Sequence, residues 1–327
     1  MIRAGEILHR GGWRSTAVPV LALALALAGA ESAWPDPGHE ITVADLTAQI
    51  AKMPEVPELY FQRAWNYREM GKPAEARADF EKTLALNPGF LPASRELARE
   101  EAAEGRIEDG IGRLRKAMAS APPAQAFHIP GCDSVLADLL LRSGKNEEAL
   151  AAAQDGLKRS PDLLLDLCLL RAEAQRRLGK HDERIRDLSQ AMGKIRSFVL
   201  REKWYDAMLD AGRGDEILPE IEEELGNTRY QAAWLIRRAR IRLHDGNRPG
   251  AETDLRAALL EMESRLRPEN PDLSLICEKG IAHTLLGDRT AGQKALDLAR
   301  GKGASQWMTL PLESLLSSEE NPSEKRK

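Results

Sequence analysis

Apolar residues along this chain return every three or four positions, in helix-length stretches that come in pairs. In Pro57–Pro88, Tyr60, Ala64 and Tyr67 fall at helical spacing before Gly71, and Ala76 and Phe80 do so after it. The same paired pattern surrounds Gly105, Gly144, Gly179, Gly212, Gly246 and Gly287. The intervals between the seven glycines are 34, 39, 35, 33, 34 and 41 residues. A glycine that adopts a left-handed C-cap would end one helix and release the next. The pattern therefore predicts an array of helical hairpins, seven in number with a range of six to eight. First helices centre near Trp65, Leu97, Ala137, Ala172, Tyr205, Ala239 and Gly280. Second helices centre near Asp79, Arg113, Ala152, Asp187, Glu220, Leu255 and Ala295.

Two antiparallel helices approach closely only where their facing side chains are small. At a fixed offset from each glycine the first helices carry Ala64, Ala98, Ala137, Ala172, Tyr205, Ala239 and Gly280. The second helices carry Ala76, Gly110, Ala149, Arg184, Ile217, Ala251 and Gly292. Five of these seven pairs are small on both sides. The fourth and fifth are not, which predicts either splayed hairpins or a different register there.

The clearest copy, Pro57–Pro88, resembles a tetratricopeptide repeat (TPR). It supplies Tyr60, Ala64, Tyr67, Gly71, Ala76, Phe80 and Pro88 at the family's positions, with Thr83 where a second alanine is usual. The resemblance implies an all-α fold, a right-handed α-solenoid of about seven helix-turn-helix hairpins with short N- and C-terminal capping helices. It also implies an inner groove lined by the first helices, where a protein or peptide partner lies. Candidate groove residues are Phe61, Trp65, Arg68, Arg95, Arg99, Arg142, Arg176 and Arg240, with Asp138, Glu173, Arg177, Asp206, Asp210 and His244 on the same faces. Guanidinium forks there, with Phe61 and Trp65 as anchors, suit an acidic or C-terminal peptide. The competing reading makes these charges solvated faces of amphipathic helices. The lysine–asparagine clamp of chaperone-tail binders is missing, with Gln62 and Arg95 near the comparable places.

The ends differ from the array. Arg3, Arg10 and Arg14 precede an apolar run from Ala17 to Ala28, and Ala28-Gly29-Ala30 offers small residues before Glu31. Residues 1–30 thus read as a signal peptide, with an uncleaved anchor as the alternative. The apolar run is shorter than the roughly 18–20 residues of a spanning helix. The expected location is periplasmic or secreted, in a bacterium, with no membrane span after the signal segment. Residues 31–56 form a loose lead-in (Glu31–Glu40) and a capping helix over 42–52. The array is expected at 57–90, 91–124, 130–163, 164–197, 198–229, 230–267 and 270–304, followed by a helix at 305–317 and a disordered tail at 318–327. Ala121–Pro130 and Leu266–Pro271 read as long loops. Ser160-Pro161-Asp162 and Asn270-Pro271-Asp272 each place a capping side chain before a proline at the first helical position.

Composition narrows the function class. Apolar residues make up 43% and charged residues 30%, as in ordinary folded chains, and a net charge of −4 lacks the basic excess of nucleic-acid binders. No His pair has metal-ligand spacing, and neither a nucleophile elbow nor a phosphate-binding loop occurs. No cofactor is expected. Cys132, Cys168 and Cys277 lack metal spacing; they read as buried apolar residues, or as a Cys132–Cys168 bridge with one thiol over. The expectation is a non-catalytic interaction scaffold that acts after export. The alternative is an envelope assembly or cell-wall-associated structural factor, with an enzyme the least favoured reading.

Overall fold

The structure is a computed structural model that describes residues 37–160, 165–267, 269, 271–304 and 306–317. The segment read as a signal peptide, the tail at 318–327, Asn270 and the Pro161-Asp162 helix start lie outside the described residues. Among the described residues there are sixteen α-helices, one 3-10 turn and no strand. None of these helices is long and apolar enough to cross a membrane. The chain divides into two compact units at Lys82/Thr83.

The first unit holds α1 (Pro37–Lys52), α2 (Pro57–Glu69) and all but the last turn of α3 (Pro73–Leu86). α1 begins five residues before the expected start at 42. Proline presets the helical dihedral at a first position, and Thr42 Oγ1 donates back to Gly38 O at 2.7 Å. Leu46, Ile50, Leu59, Tyr60, Ala64, Ala76 and Phe80 are buried. Arg63 lays a two-pronged fork on Asp79 of α3, at 2.7 and 2.8 Å, tying the hairpin together.

The second unit contains six hairpins and a closing helix. The hairpins are α4 (Leu91–Ala103) with α5 (Ile107–Ala119), α6 (Ile129–Arg142) with α7 (Asn146–Arg159), and α8 (Leu165–Arg177) with α9 (His181–Met192). They continue with α10 (Phe198–Asp210) and α11 (Gly214–Asn227), α12 (Ala232–His244) and α13 (Arg248–Arg265), and α14 (Leu273–Leu285) and α15 (Arg289–Gly301). Helix α16 (Gln306–Ser317) packs on α14 and α15.

All seven predicted turn glycines have positive φ, between 68° and 95°. The residue after each donates its N–H to a carbonyl five positions back, from Lys72 to Tyr67 O at 2.8 Å through Asp288 to His283 O at 2.9 Å. Those bonds satisfy helix-end carbonyls that would otherwise be orphaned, and only glycine takes the required dihedral without strain. Gly303 repeats the device between α15 and α16, a turn the spacing argument overlooked. One loop and one helix cap are corrected. Pro123–His128 forms a 3-10 turn, with α6 starting at Ile129. Asp272, rather than Asn270, caps α14 by accepting from Ser274 N (2.9 Å) and Leu275 N (3.3 Å), so the helix starts two residues later.

The small-residue positions are buried in every hairpin, including Arg184 and Tyr205, so the register holds throughout. A Cβ added to Gly110 would stand 2.7 Å from Ala98 O, and one on Gly292 would stand 3.2 Å from Gly280 O. Among the six hairpins of this unit, the backbones of α10 and α11 approach least closely, and those of α8 and α9 next.

Candidate partner-binding face

In the first unit, α2 presents three of the candidate residues. Phe61 leans on Phe80, ring centroids 5.6 Å apart. Trp65 is 39% exposed, and the Arg68 guanidinium stacks 3.8 Å above its ring. A planar cation over an indole face makes a flat, amphipathic patch.

In the second unit the arginines have partners within the protein, and the partners follow a rule. Arg142 of α6 donates to Ala102 O, in the last turn of α4, at 3.1 Å, while Asp138 lies 3.8 Å away. Arg177 of α8 donates to Leu141 O, in the last turn of α6. Arg240 of α12 holds Asp206 (3.0 Å) and Asp210 (2.9 Å) of α10. Each of these first helices therefore reaches back to the preceding one. In two cases a cation meets the negative end of a helix dipole. This stapling role was not anticipated, although the recurrence of arginine near first-helix C-termini carried a signal for it.

Arg95 and Arg99 both bind Glu96, at 2.9 and 3.1 Å. Glu96 is buried, whereas the Arg99 side chain is 51% exposed. One buried carboxylate serves both guanidiniums of α4, and Arg99 also faces Asp138 of α6.

Side chains of four successive first helices, α8, α10, α12 and α14, converge with α9 and α16 on a cavity of about 320 Å³. These first helices therefore share an inner face. On one wall Arg176 and Arg177 close on Glu173, with nitrogen–oxygen distances of 2.7 and 2.8 Å. Arg184 binds Asp210 at 2.7 Å. Burial pushes the Glu173 carboxyl up, but its bonds to Arg176 and then Arg177 outweigh this and hold it below the usual range. Asp210 behaves likewise: burial raises it, and the charges of Arg240 and Arg184 bring it below its ordinary value. The facing wall is apolar, from Ile281 and Leu285 of α14 and Leu310, Pro311 and Leu315 of α16.

A second buried cluster stands apart from the cavity. Arg237 lies over the rings of Tyr205 and Trp234, 5.5 and 5.1 Å from their centroids, and pairs with Glu202. Burial pushes this guanidinium down to about 10.

The cysteines are free and buried, so Cys132 and Cys168 do not pair. Burial raises all three thiols, Cys132 and Cys277 to about 11, which makes them poor nucleophiles. His244 is exposed beside Asp245. His181 is partly buried and lines the cavity. Among the described residues no group of three His, Cys, Asp or Glu side chains is arranged to hold a metal ion.

Comparison with known proteins fits this geometry. Residues 57–90 match the family model for the tetratricopeptide repeat. The tetratricopeptide repeat and J domain-containing co-chaperone DNJ1 of Fusarium oxysporum f. sp. lycopersici is 30% identical over 152 residues. That match spans 44% of this chain and only 28% of the fungal protein's length. Among solved structures, a tetratricopeptide repeat protein from Parabacteroides merdae aligns with a TM-score of 0.56 at 14% identity, over 80% of this chain and 98% of that one. A chain of the APC/C hetero-tetramer Cut9-Hcn1 aligns with a TM-score of 0.50 at 15% identity, over 80% of this chain and 46% of that one. At such identities the likeness speaks for the fold. One tetratricopeptide repeat is matched outright, at residues 57–90, and the same glycine turn closes every later hairpin, so the chain is built as an all-α array of such hairpins.

Proposed function

We propose that this protein is a non-catalytic scaffold that holds an acidic peptide or partner protein against its first helices, and that it acts after export. Tetratricopeptide repeat proteins generally mediate protein–protein interactions, and their fold is typically a non-catalytic scaffold. The observation that carries the reading is the double claim of Arg95 and Arg99 on the single buried carboxylate of Glu96. The half-exposed Arg99 fork is free to turn to an incoming carboxylate without uncovering a buried charge. In the first unit, the Trp65–Arg68 stack supplies a rigid aromatic anchor of the kind that dominates binding energy.

A photocrosslinking residue at Arg99, installed in cells that make the protein, tests the interaction. Discrete adducts are expected at that position and not at Lys158 of α7, a second-helix site whose side chain is 74% exposed. Reversing charge at both Arg95 and Arg99 should weaken the adducts; equal labelling from both positions ends the reading. Export rests on the basic leader and apolar run of residues 1–30. Fractionation with N-terminal sequencing checks it, and recovery of the chain in the cytosol with Met1 in place counts against it.

A further inference from the structure

The cavity in the second unit has a chemistry of its own. Its volume, about 320 Å³, sits at the small end of the range of roughly 300–1,000 Å³ typical of small-molecule sites. A wider recess of about 510 Å³ adjoins it, shares Arg176, Leu310 and Ser314 with it, and adds Arg177 and Arg300 at the lip. Arg300 is held by Glu313 at 3.0 Å. The approach from outside is therefore basic.

Charge on the polar wall does not balance. Three carboxylates, Glu173, Asp206 and Asp210, meet four cations, Arg176, Arg184, Lys203 and Arg240, with Arg177 reaching Glu173 from the lip. Each carboxylate is already claimed by two cations, which leaves no acceptor for a cationic guest. Donors, in contrast, are left over. Arg184 is only 3% exposed, and its Nε has no hydrogen-bond partner. The Nδ1 of His181, on the same wall, is buried and unpartnered too, and it donates in only one of the ring's two tautomers. Among the described residues Lys203 has only Asp206 as an anion, at a loose 3.8 Å. A buried cation without a full set of acceptors is costly, so a guest that brings an acceptor is favoured over one that does not. The opposite wall has the reverse requirement, because Ile281, Leu285, Leu310 and Leu315 offer nothing but apolar surface.

We propose that this cavity binds a small amphipathic monocarboxylate, with its carboxylate on Arg184 and Lys203 and its tail against α14 and α16. The site is separate from the Arg95–Arg99 surface and does not require a protein partner there. Arg184 is the anchor because it stands where other hairpins carry a small residue. Its fork uses Asp210 for one nitrogen, and its Nε, itself covered, has no acceptor within the protein. A neutral guest of the same length would fill the apolar half and leave the cationic surplus of the polar wall unanswered. That difference is what gives a polar pocket its discrimination.

Titration calorimetry on the folded chain tests this with octanoate, 1-octanol and octylammonium as probes. Octanoate should bind at least about tenfold more tightly than 1-octanol, with no heat from octylammonium. Lys203→Met, which breaks only a loose pair, should weaken octanoate by about tenfold while leaving the circular dichroism spectrum unchanged. Ser314→Trp fills the cavity from α16 without touching a charge and should abolish binding. Equal affinity for octanoate and 1-octanol overturns the proposal. So does wild-type affinity in both variants, or no heat at millimolar octanoate. A short peptide ending in leucine, as free acid and as amide, forms the last arm. Binding of the acid peptide without octanoate binding also overturns it, and would assign the cavity to a peptide terminus.

Discussion

In four hairpins of the second unit, α4–α5, α6–α7, α12–α13 and α14–α15, the helices meet over pairs no larger than alanine. In α8–α9 and α10–α11 the facing pairs are Ala172 with Arg184 and Tyr205 with Ile217. The turns are the same in both groups, because every one closes on a left-handed glycine. What differs is the distance between helices, and with it what fills the gap. The close pairs are filled by backbone against backbone, with Ala98 O within 2.7 Å of a Cβ placed on Gly110. The open pairs are filled by polar groups that must be satisfied: Arg184 by Asp210, and the Tyr205 hydroxyl by Glu220. The cavity lies at the open hairpins, with Arg184 itself in its wall. One residue size, at one offset from the glycine, thus separates a hairpin that only packs from one that presents chemistry.

Removing a charge at the open hairpins is the harshest way to break this contrast. Asp210→Leu strands the almost fully buried Arg184 guanidinium, whose other carboxylate partners are absent among the described residues. The expected loss is about 3 kcal/mol, read from urea unfolding. Adding Arg184→Met should recover most of it, since a matched apolar pair avoids the desolvation of two charges. The same carboxylate sets an acid limb. Its folded pKa is held below the unfolded value of about 3.9, so its contribution is complete above that pH and drains away as pH falls through the folded pKa. Asp210→Leu should therefore show a shallower loss of melting temperature on acidification than the parent. An identical acid limb would mean that Asp210 is not held low by its arginines.

Much of this contrast was legible beforehand. Glycine spacing and the small-residue offset placed all seven hairpins, because both report backbone geometry that few side chains tolerate. The exceptions at Arg184 and Tyr205 were visible as well, but periodicity says nothing about where a long side chain ends. That Arg184 reaches Asp210 on the next hairpin depends on the stacking of hairpins, which no local pattern encodes. The same gap hid the role of Arg142 and Arg240: their position on first helices was readable, whereas their grip on the preceding helix was not. The proline at the start of α1 misled in the other direction, because a proline–glycine cluster signals a loop and a helix start alike.

A milder change probes the close hairpins. Gly110→Val forces a branched Cβ against Ala98 O at 2.7 Å and Leu139 Cδ1 at 3.0 Å, and the backbone atom cannot swing away. A destabilisation of about 2 kcal/mol is expected. Gly112 on the same helix is the internal control: a Cβ there meets nothing within 4 Å, so Gly112→Ala should stabilise by about 0.5 kcal/mol through helix propensity alone. Equal effects at 110 and 112 would show that α5 does not sit tightly on α4, and the distinction between the two groups would fall.

The finest comparison uses the native cysteines. Cys132 on α6 is packed among the close hairpins, and Cys168 on α8 belongs to the cluster that includes the open ones. Both are almost completely buried, and burial raises both thiols, so neither reacts in the closed state. Modification must then wait for local opening, whose free energy is lower where fewer apolar contacts hold the helices together. Peptide mapping after timed alkylation under native conditions should find Cys168 modified about tenfold faster than Cys132, a gap of roughly 1.4 kcal/mol in opening free energy. Repeating the alkylation in urea, where both thiols are exposed, gives the ratio set by thiol reactivity alone and separates it from opening. A native ratio no larger than the ratio in urea would mean that the wider helix spacing of α8–α9 carries no cost in local stability. The polar fill supplied by Arg184 and Asp210 would then hold that hairpin as firmly as alanine packing holds its neighbours.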